Sequence, residues 1–457
     1  MKTQRRLVRG ISANLMAVGT RIAVQFATLP IFFASWSVEA VGNWLILFAV
    51  PAYIALVGNG FAGAGGTAAL AAARDGDLPQ ARRHFRAAWT ISAFSTAALA
   101  LLFASAAMFI IPSVVEHDGN VAVWDMAKAA AWLSLYIFAT SQMAIFDIPY
   151  RVAGRYPDHI FLYNATGLLE IVVIAAAVTF SDSLATLAMA LALFRCLSAA
   201  WIYLSARKAA PLMFGKAVGD IKGNVAQLWR PSLAFMMMPL IFGLNLQGYL
   251  LLVGASFGAV VLAGFAATRT LTRLLDLLTS VTYNLQFYES GYIEDDRQAL
   301  QRRMLATMSV VSVFVAIAFA LLLLSLGPWL QGLYTLGQTE FGPAVALVLL
   351  AAASLRSLAS VPMVVLAADN AHARVVAIYL AGSALALLLA SALGIAGAPL
   401  PAVLAPLLLA EASQLVPAWR RALHALEWAP GAFFSSLTAR ERIDDVAALW
   451  RMLTKRA

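Results

Sequence analysis

The chain has 457 residues, 62% of them hydrophobic and 12% charged, with a mean hydropathy of +0.80 and a formal net charge of +9. That balance excludes a soluble domain; repeated apolar runs of about 20 residues make the chain an all-α, polytopic membrane protein. The lone Cys196 excludes an intrachain disulfide, and the five histidines include no pair at metal-ligand spacing, so neither a metal nor a cofactor is expected.

Spans are expected near 10–34, 40–69, 88–112, 124–148, 159–180, 184–207, 228–254, 259–288, 304–327, 343–368, 375–396 and 400–419, about twelve in all. The basic N-terminal MKTQRRLVRG leads into an apolar segment longer than a signal-peptide core and without a small-x-small cleavage site, which reads as a retained first span. It carries Arg21, with Gln25 one turn on. The second span opens at Gly42-Asn43-Trp44, passes Pro51 and then crowds Gly58, Gly60, Gly63, Gly65 and Gly66 around Asn59. Such glycine density makes a continuous helix costly and lets backbones approach closely. Two readings follow: a span that breaks to line a substrate path, or a small-residue helix contact. The broken span is taken here as the expectation.

The second span exits into RDGDLPQARRHF, and the eighth into IEDDRQALQRRM. Asp77, followed by Pro79, and Asp295 or Asp296 are candidate caps of short cytoplasmic helices. Gly42 and Gly258 open the second and eighth spans alike, so the two halves read as a parallel repeat. In the fourth span Asp125 and Lys128 stand three apart and are expected to pair, while Asp147 lies near the inner end, within reach of water. Glu170 falls in the fifth span and Arg195 in the sixth. Asn245 and Gln247 lie in the seventh; Arg269, Arg273 and Asp276 share one face of the eighth; Arg356 is in the tenth and Glu411 in the twelfth. Beyond the last span, Thr438 and Glu441 have capping-box spacing. The tail after them suits a helix on the anionic inner leaflet, or one packed on the bundle.

Most of the 32 Lys and Arg fall in alternate connecting segments, which the positive-inside rule makes cytoplasmic, with both termini on that side. The net charge is thereby explained by topology and requires no nucleic acid. The expected organisation is an N-terminal lobe (1–207, helices 1–6), a cytoplasmic linker (208–227), a C-terminal lobe (228–420, helices 7–12) and an amphipathic cytoplasmic tail (421–457).

Ionisable groups within a membrane need a partner or a purpose. Central arginines outnumber central acids, and guanidinium forks match phosphate or carboxylate oxygens. Arg21, Arg195, Arg269, Arg273 and Arg356 are therefore candidate substrate-binding cations. Gln25, Asn59, Asn245 and Gln247 are candidate polar cavity groups, and Glu170, Asp276 and Glu411 candidates for coupling or charge balance. A salt bridge is the alternative for each arginine, and Glu170 or Glu411 the alternative partner for Arg269.

LPIFFASWSVEAVGNWLILFAVPAYIALVGNGF with the following ALAAARDGDLPQARRHF resembles the first two helices of bacterial lipopolysaccharide (O-antigen) flippases, in the multidrug/oligosaccharidyl-lipid/polysaccharide exporter superfamily. MAIFDIPYRVAGRY is similar to their loop after the fourth helix, LVGASFGAVVLAGFAATRTLTRLLDLL to their eighth helix, and LAADNAHARVVAIY to the turn after the tenth. The chain departs from these relatives at Asn59, where they often carry an acid. The resemblance implies a V-shaped bundle of two six-helix lobes in the bacterial inner membrane. It also implies alternating-access transfer of an undecaprenyl-diphosphate-linked oligosaccharide, an O-antigen or exopolysaccharide unit, to the periplasmic leaflet. Membrane lipid is then one partner, and a polysaccharide polymerase and glycosyltransferases are others. The rival readings are a cation-coupled multidrug exporter of the same superfamily, a polyprenyl-sugar membrane enzyme, and a transport-dead scaffold for synthesis enzymes. The short external loops offer an enzyme little room for catalytic groups, and neither a catalytic set nor a nucleotide loop is found.

Overall fold

The computed structural model describes residues 2–114, 123–215, 237, 240–241, 243–279, 297–368, 372–438, 441–442 and 444–445; within these, the side chains of 2–15, 18, 21, 53, 55–59, 110–114, 297 and 367–368 lie outside the described set. Among the described residues the chain is helix and turn with no strand. In a membrane this is expected, since a helix satisfies its own backbone groups. Among the described residues nine helices are long and apolar enough to cross a membrane, and the stretches Ile22–Ser35 and Val38–Ala52 are shorter apolar helix. The protein is multi-pass.

The described chain forms two compact units. The first comprises Met1–Gly254, Gly258–Ala263 and Tyr334–Gln338, the second Ala255–Phe257, Gly264–Leu333 and Thr339–Ala457. Most of the sequence-predicted linker 208–227 lies outside the described residues.

The first unit holds α1 (Lys2–Ser35), α2 (Val38–Arg74), α3 (Leu78–Val114), α4 (Val123–Ile145), α5 (Asp147–Val152), α6 (Tyr156–Phe180) and α7 (Leu184–Ala209). α4 packs on α2, α3 and α7, and α1 packs on α6. Side chains cap the starts of two of these helices. Ser37 Oγ accepts from Ala40 N (3.3 Å) at α2, and Asp77 Oδ1 accepts from Gln80 N (2.8 Å) at α3. Asp77 thus caps the long third span directly, with no short helix before it; Asp295 and Asp296 lie outside the described residues.

Two sequence-predicted pairings differ. Asp125 spends its carboxylate on the start of α7: it accepts from Ser183 Oγ (2.6 Å) and Leu184 N (2.7 Å), because an N-terminus offers unsatisfied donors aligned with the helix dipole. Asp147 is not simply hydrated; it pairs with Arg151 one turn on and has His159 Nδ1 at 3.3 Å.

The expected broken span is also corrected. α2 runs unbroken through Gly58, Gly60, Gly63, Gly65 and Gly66 to Arg74. The small-residue reading describes Gly65: a Cβ there would collide with the Cβ of Ala88 and lie 3.2 Å from Ile148 Cδ1. The helix stays closed because an open backbone in lipid costs more than glycine's entropy. Gly42 makes the other close approach, its missing Cβ leaving room for the backbone of Ala259. The neighbouring Gly258, at φ 81°, turns the chain between the two helical stretches expected there, in a conformation L side chains rarely adopt.

A one-turn π-helix, Leu244–Gly248, leads into α8 (Tyr249–Thr272). Helix resumes over 274–279 after an interruption at Arg273, where Asp276 N reaches back only three residues to Arg273 O (3.1 Å). Among the described residues, irregular backbone therefore occurs in the seventh span, at the π-turn, and in the eighth, at Arg273, rather than in the second.

The second unit continues with α9 (Arg297–Tyr334), α10 (Pro343–Ala368), α11 (Ala373–Ile395), α12 (Leu400–Leu404), α13 (Pro406–Ala425) and α14 (Pro430–Leu437). α13 packs on α10 and α11. Its last carbonyls are capped from α9, where Gln298 Nε2 and Arg302 Nε each donate to Leu426 O (both 2.9 Å). The tail packs on α9 as well. Arg442 Nη1 donates to Arg303 O (2.9 Å) and Thr307 Oγ1 (2.7 Å), and Asp445 pairs with Arg303. Thr438 Oγ1 donates to Ser435 O (3.1 Å), and the apolar tail positions Ile443, Val446, Ala447, Trp450 and Leu453 lie outside the described residues. The Arg303 hydrogen bond holds the Asp445 carboxyl below its usual range. The charged clasp is therefore complete at neutral pH and is lost only as pH falls through that lowered pKa.

Candidate functional site

Each unit sets one arginine against a buried glutamate and a buried tyrosine, the three drawn from different helices. In the first unit Glu170 of α6 pairs with Arg195 of α7 and accepts from Tyr136 OH of α4 (2.9 Å). The Arg195 guanidinium lies 5.4 Å from the Tyr136 ring centroid, and its Nη1 donates to Met143 Sδ (3.9 Å). All three residues are buried. The charge is balanced one to one, the arrangement an ion pair needs to survive desolvation.

In the second unit Glu411 of α13 accepts from Arg356 Nη2 (2.7 Å) and Nε (3.0 Å) of α10, and from Tyr379 OH (3.0 Å) of α11. Arg356 Nη1 donates to both oxygens of Asp276, at 3.0 and 3.2 Å. One guanidinium thus serves two carboxylates of unlike surroundings: the Glu411 side chain is 0% exposed, that of Asp276 28%. The fork geometry permits this, since the two edges of one guanidinium face different acids.

Arg195 and Arg356 are therefore salt-bridged, the alternative that the sequence left open. Glu170, Glu411 and Asp276 are their charge-balancing partners. Asp276 takes its hydrogen bonds from Arg356 across the unit and lies within electrostatic reach of Arg273 three residues before it. Glu170 and Glu411, the alternative partners for Arg269, are occupied by Arg195 and Arg356.

Arg269 lies in the last turn of α8 and Arg273 at the interruption just after it, with Arg273 N donating to Arg269 O (3.0 Å). The Arg269 guanidinium lies 5.6 Å from the Phe265 ring centroid, within cation–π range. Two like charges one turn apart repel, and Asp276 offsets part of that repulsion at Arg273. Asn245 and Gln247 fall in the π-turn before α8, Asn245 buried and Gln247 half-buried. Gln25 in α1 contributes its carbonyl, which accepts from Tyr334 OH (2.9 Å). The side chains of Arg21 and Asn59 lie outside the described residues.

The sequence reading missed Tyr136 and Tyr379. A signal was available: a mid-span tyrosine must find its hydroxyl a partner once buried. It also missed Gln331, whose Oε1 accepts from Thr268 Oγ1 of α8 (2.8 Å) and whose Nε2 donates to Glu340 O (2.8 Å). Among the described residues no group of His, Cys, Asp and Glu could hold a metal ion.

No family model matches the chain, and no curated protein is similar to it. Solved structures do match. A multidrug resistance transporter of the MATE family in the MOP superfamily, in an inward-facing conformation, superposes with a TM-score of 0.68 at 13% identity, over 89% of this chain and 95% of that one. The eukaryotic MATE transporter AtDTX14 gives 0.63 at 13% identity, over 93% and 99%. The MATE transporter ClbM, in complex with Rb+, gives 0.57 at 14% identity, over 94% and 96%. At these identities the likeness establishes the fold, that of MATE-family transporters.

Proposed function

We propose that this protein is a transporter that carries a polyprenyl-diphosphate-linked oligosaccharide across a bacterial inner membrane by alternating access. The observation that carries the proposal is the Arg269–Arg273 pair at the end of α8. Two guanidinium groups stand one turn apart in a membrane span, and the acid on their own face, Asp276, is engaged by Arg356. A diphosphate matches them in charge, spacing and hydrogen-bond capacity. Arg195 and Arg356 take a different part, bracing the helices of their own units. Transport breaks no bond, so the protein's work is to replace water around the phosphates and sugars during passage.

The test is polysaccharide display in a cell whose own flippase is deleted. Arg269→Ala should insert normally and reduce display at least tenfold, while Arg269→Lys should keep part of it, since lysine supplies charge without the fork. Normal display from a well-inserted Arg269→Ala/Arg273→Ala double variant would overturn the reading.

A second reading, a cation-coupled multidrug exporter, is favoured by two observations. One of the similar folds is a multidrug resistance transporter. Asp276, shared between Arg356 and Arg273, is also partly exposed. Drug efflux that persists in the Arg269→Ala/Arg273→Ala variant, with no polysaccharide display by the parent, would select it.

A further inference from the structure

The first unit has a built pocket at the Arg207 end of α7. It is an open cleft of about 550 Å³ lined by Leu204, Arg207, Lys208, Pro211, Phe214 and Gly215. α7 closes with Arg207 and Lys208 in its last turn, and a 3₁₀ turn over Pro211–Phe214 folds the chain back to make the opposite wall. That wall is fixed from α3. Arg86 Nη2 donates to Gly215 O (2.9 Å), and the Arg82 guanidinium packs on Gly215, where a Cβ would lie 3.0 Å from Cζ. Four cations thus surround the pocket, two lining it and two behind its wall, and among the described residues no acid lines it.

Its apolar approach runs down the same helix. Leu197, Trp201 and Leu204 recur at helical spacing on one exposed face of α7, Leu197 being 72% exposed, and the face ends at Lys208. From Leu197 to Lys208 is roughly 16 Å at 1.5 Å per residue, close to half of a hydrocarbon core about 30 Å thick. The molecule this arrangement fits has an anionic head and an apolar chain one leaflet long.

We propose that this pocket holds the headgroup of an anionic phospholipid, its acyl chain lying along Leu197, Trp201 and Leu204. The phosphate sits between Arg207 and Lys208, whose freely hydrated heads lose little on pairing with it. A basic pocket at the cytoplasmic face suits such a headgroup, and the sequence places this end of α7 in the cytoplasm. The site is separate from Arg269 and Arg273 and does not depend on the identity of the transported molecule.

The test uses the purified full-length protein and native mass spectrometry, with phosphatidylglycerol and the zwitterionic phosphatidylethanolamine offered in equal amounts. The parent should retain phosphatidylglycerol preferentially. At about 1 kcal/mol per cation, Arg207→Gln/Lys208→Gln should weaken retention on the order of 30-fold. Arg74→Gln/Arg374→Gln, which removes the same charge from exposed positions elsewhere, should leave it unchanged. Trp201→Ala should weaken retention of the lipid while leaving any binding of soluble glycerophosphate as it was. Equal retention of the two lipids would overturn the proposal, as would an undiminished signal from Arg207→Gln/Lys208→Gln or an equal loss in the control variant. A polyprenyl diphosphate that displaces phosphatidylglycerol at equal concentration would also overturn it, by assigning the pocket to the transported molecule.

Discussion

The two units bring together the same three side-chain types in different order. In the first, tyrosine, glutamate and arginine come from α4, α6 and α7 as Tyr136, Glu170 and Arg195; in the second, arginine, tyrosine and glutamate come from α10, α11 and α13 as Arg356, Tyr379 and Glu411. Both clusters tie three helices through one carboxylate, which accepts a phenol on one oxygen and a guanidinium on the other. The difference is Asp276. The first cluster is closed and neutral, whereas the second has an additional carboxylate and opens toward solvent through it. The shared part is a brace, where full satisfaction keeps buried charges bearable. The added acid marks the place where the second unit departs from simple bracing.

The largest expected effects come from cutting the braces. Glu170→Leu leaves the buried Arg195 guanidinium without its anion and should cost about 3–5 kcal/mol, read as a lowered melting temperature in detergent; Glu411→Leu should cost less, because Asp276 still pairs with the half-buried Arg356. The double variants sharpen the comparison. Glu170→Leu/Arg195→Met should recover most of the loss, because a one-to-one pair is removed whole. Glu411→Leu/Arg356→Met should recover less, because Asp276 is left without its guanidinium. Equal recovery in both units would erase the distinction.

The tyrosines should act alike. Tyr136→Phe and Tyr379→Phe each delete one hydrogen bond to a carboxylate, for a loss of about 1.5–3 kcal/mol. A large loss in one unit and none in the other would show that the two braces are not equivalent. The smallest effect belongs to Asp276→Asn, which makes the second cluster one-to-one while keeping an oxygen for Arg356. Because this pair is partly exposed, the change in stability should be under about 1 kcal/mol. A loss as large as that of Glu411→Leu would mean that Asp276 belongs to the brace.

Apolar periodicity made the helices legible in the sequence, and the cost of charge in lipid made Arg195, Glu170, Arg356, Asp276 and Glu411 legible as residues that need a reason. Their pairing was not legible. Arg195 and Glu170 are 25 positions apart, Arg356 and Glu411 55, and Arg356 and Asp276 80, so choosing partners requires the packing of the helices. Local spacing misled where it was the only guide: Lys128 stands near Asp125 in sequence, yet the start of α7 offers that carboxylate better donors. Glycine density misled for a related reason. It reports that a backbone can open, but whether it opens depends on what lies beside it, and beside Gly65 lies Ala88. Arg273, where α8 is interrupted, has no glycine within five residues before it or ten after it to announce the break.

The clasp that includes residues 334–338 bears on how the protein is made. Tyr334 OH donates to the carbonyl of Gln25 and Gln338 Nε2 to that of Phe33, and both partners belong to the first unit. Gly42 in turn sits against Ala259. Synthesis runs from the amino end, so α1 and α2 enter the bilayer long before the segments that finish their packing have left the ribosome. The unit begun first is thus completed only when about three-quarters of the chain has been translated. In the interval its unfinished surfaces stand open to lipid, to insertion machinery and to quality-control proteases, so a nascent chain stalled before residue 334 presents these as an incomplete unit rather than a finished half.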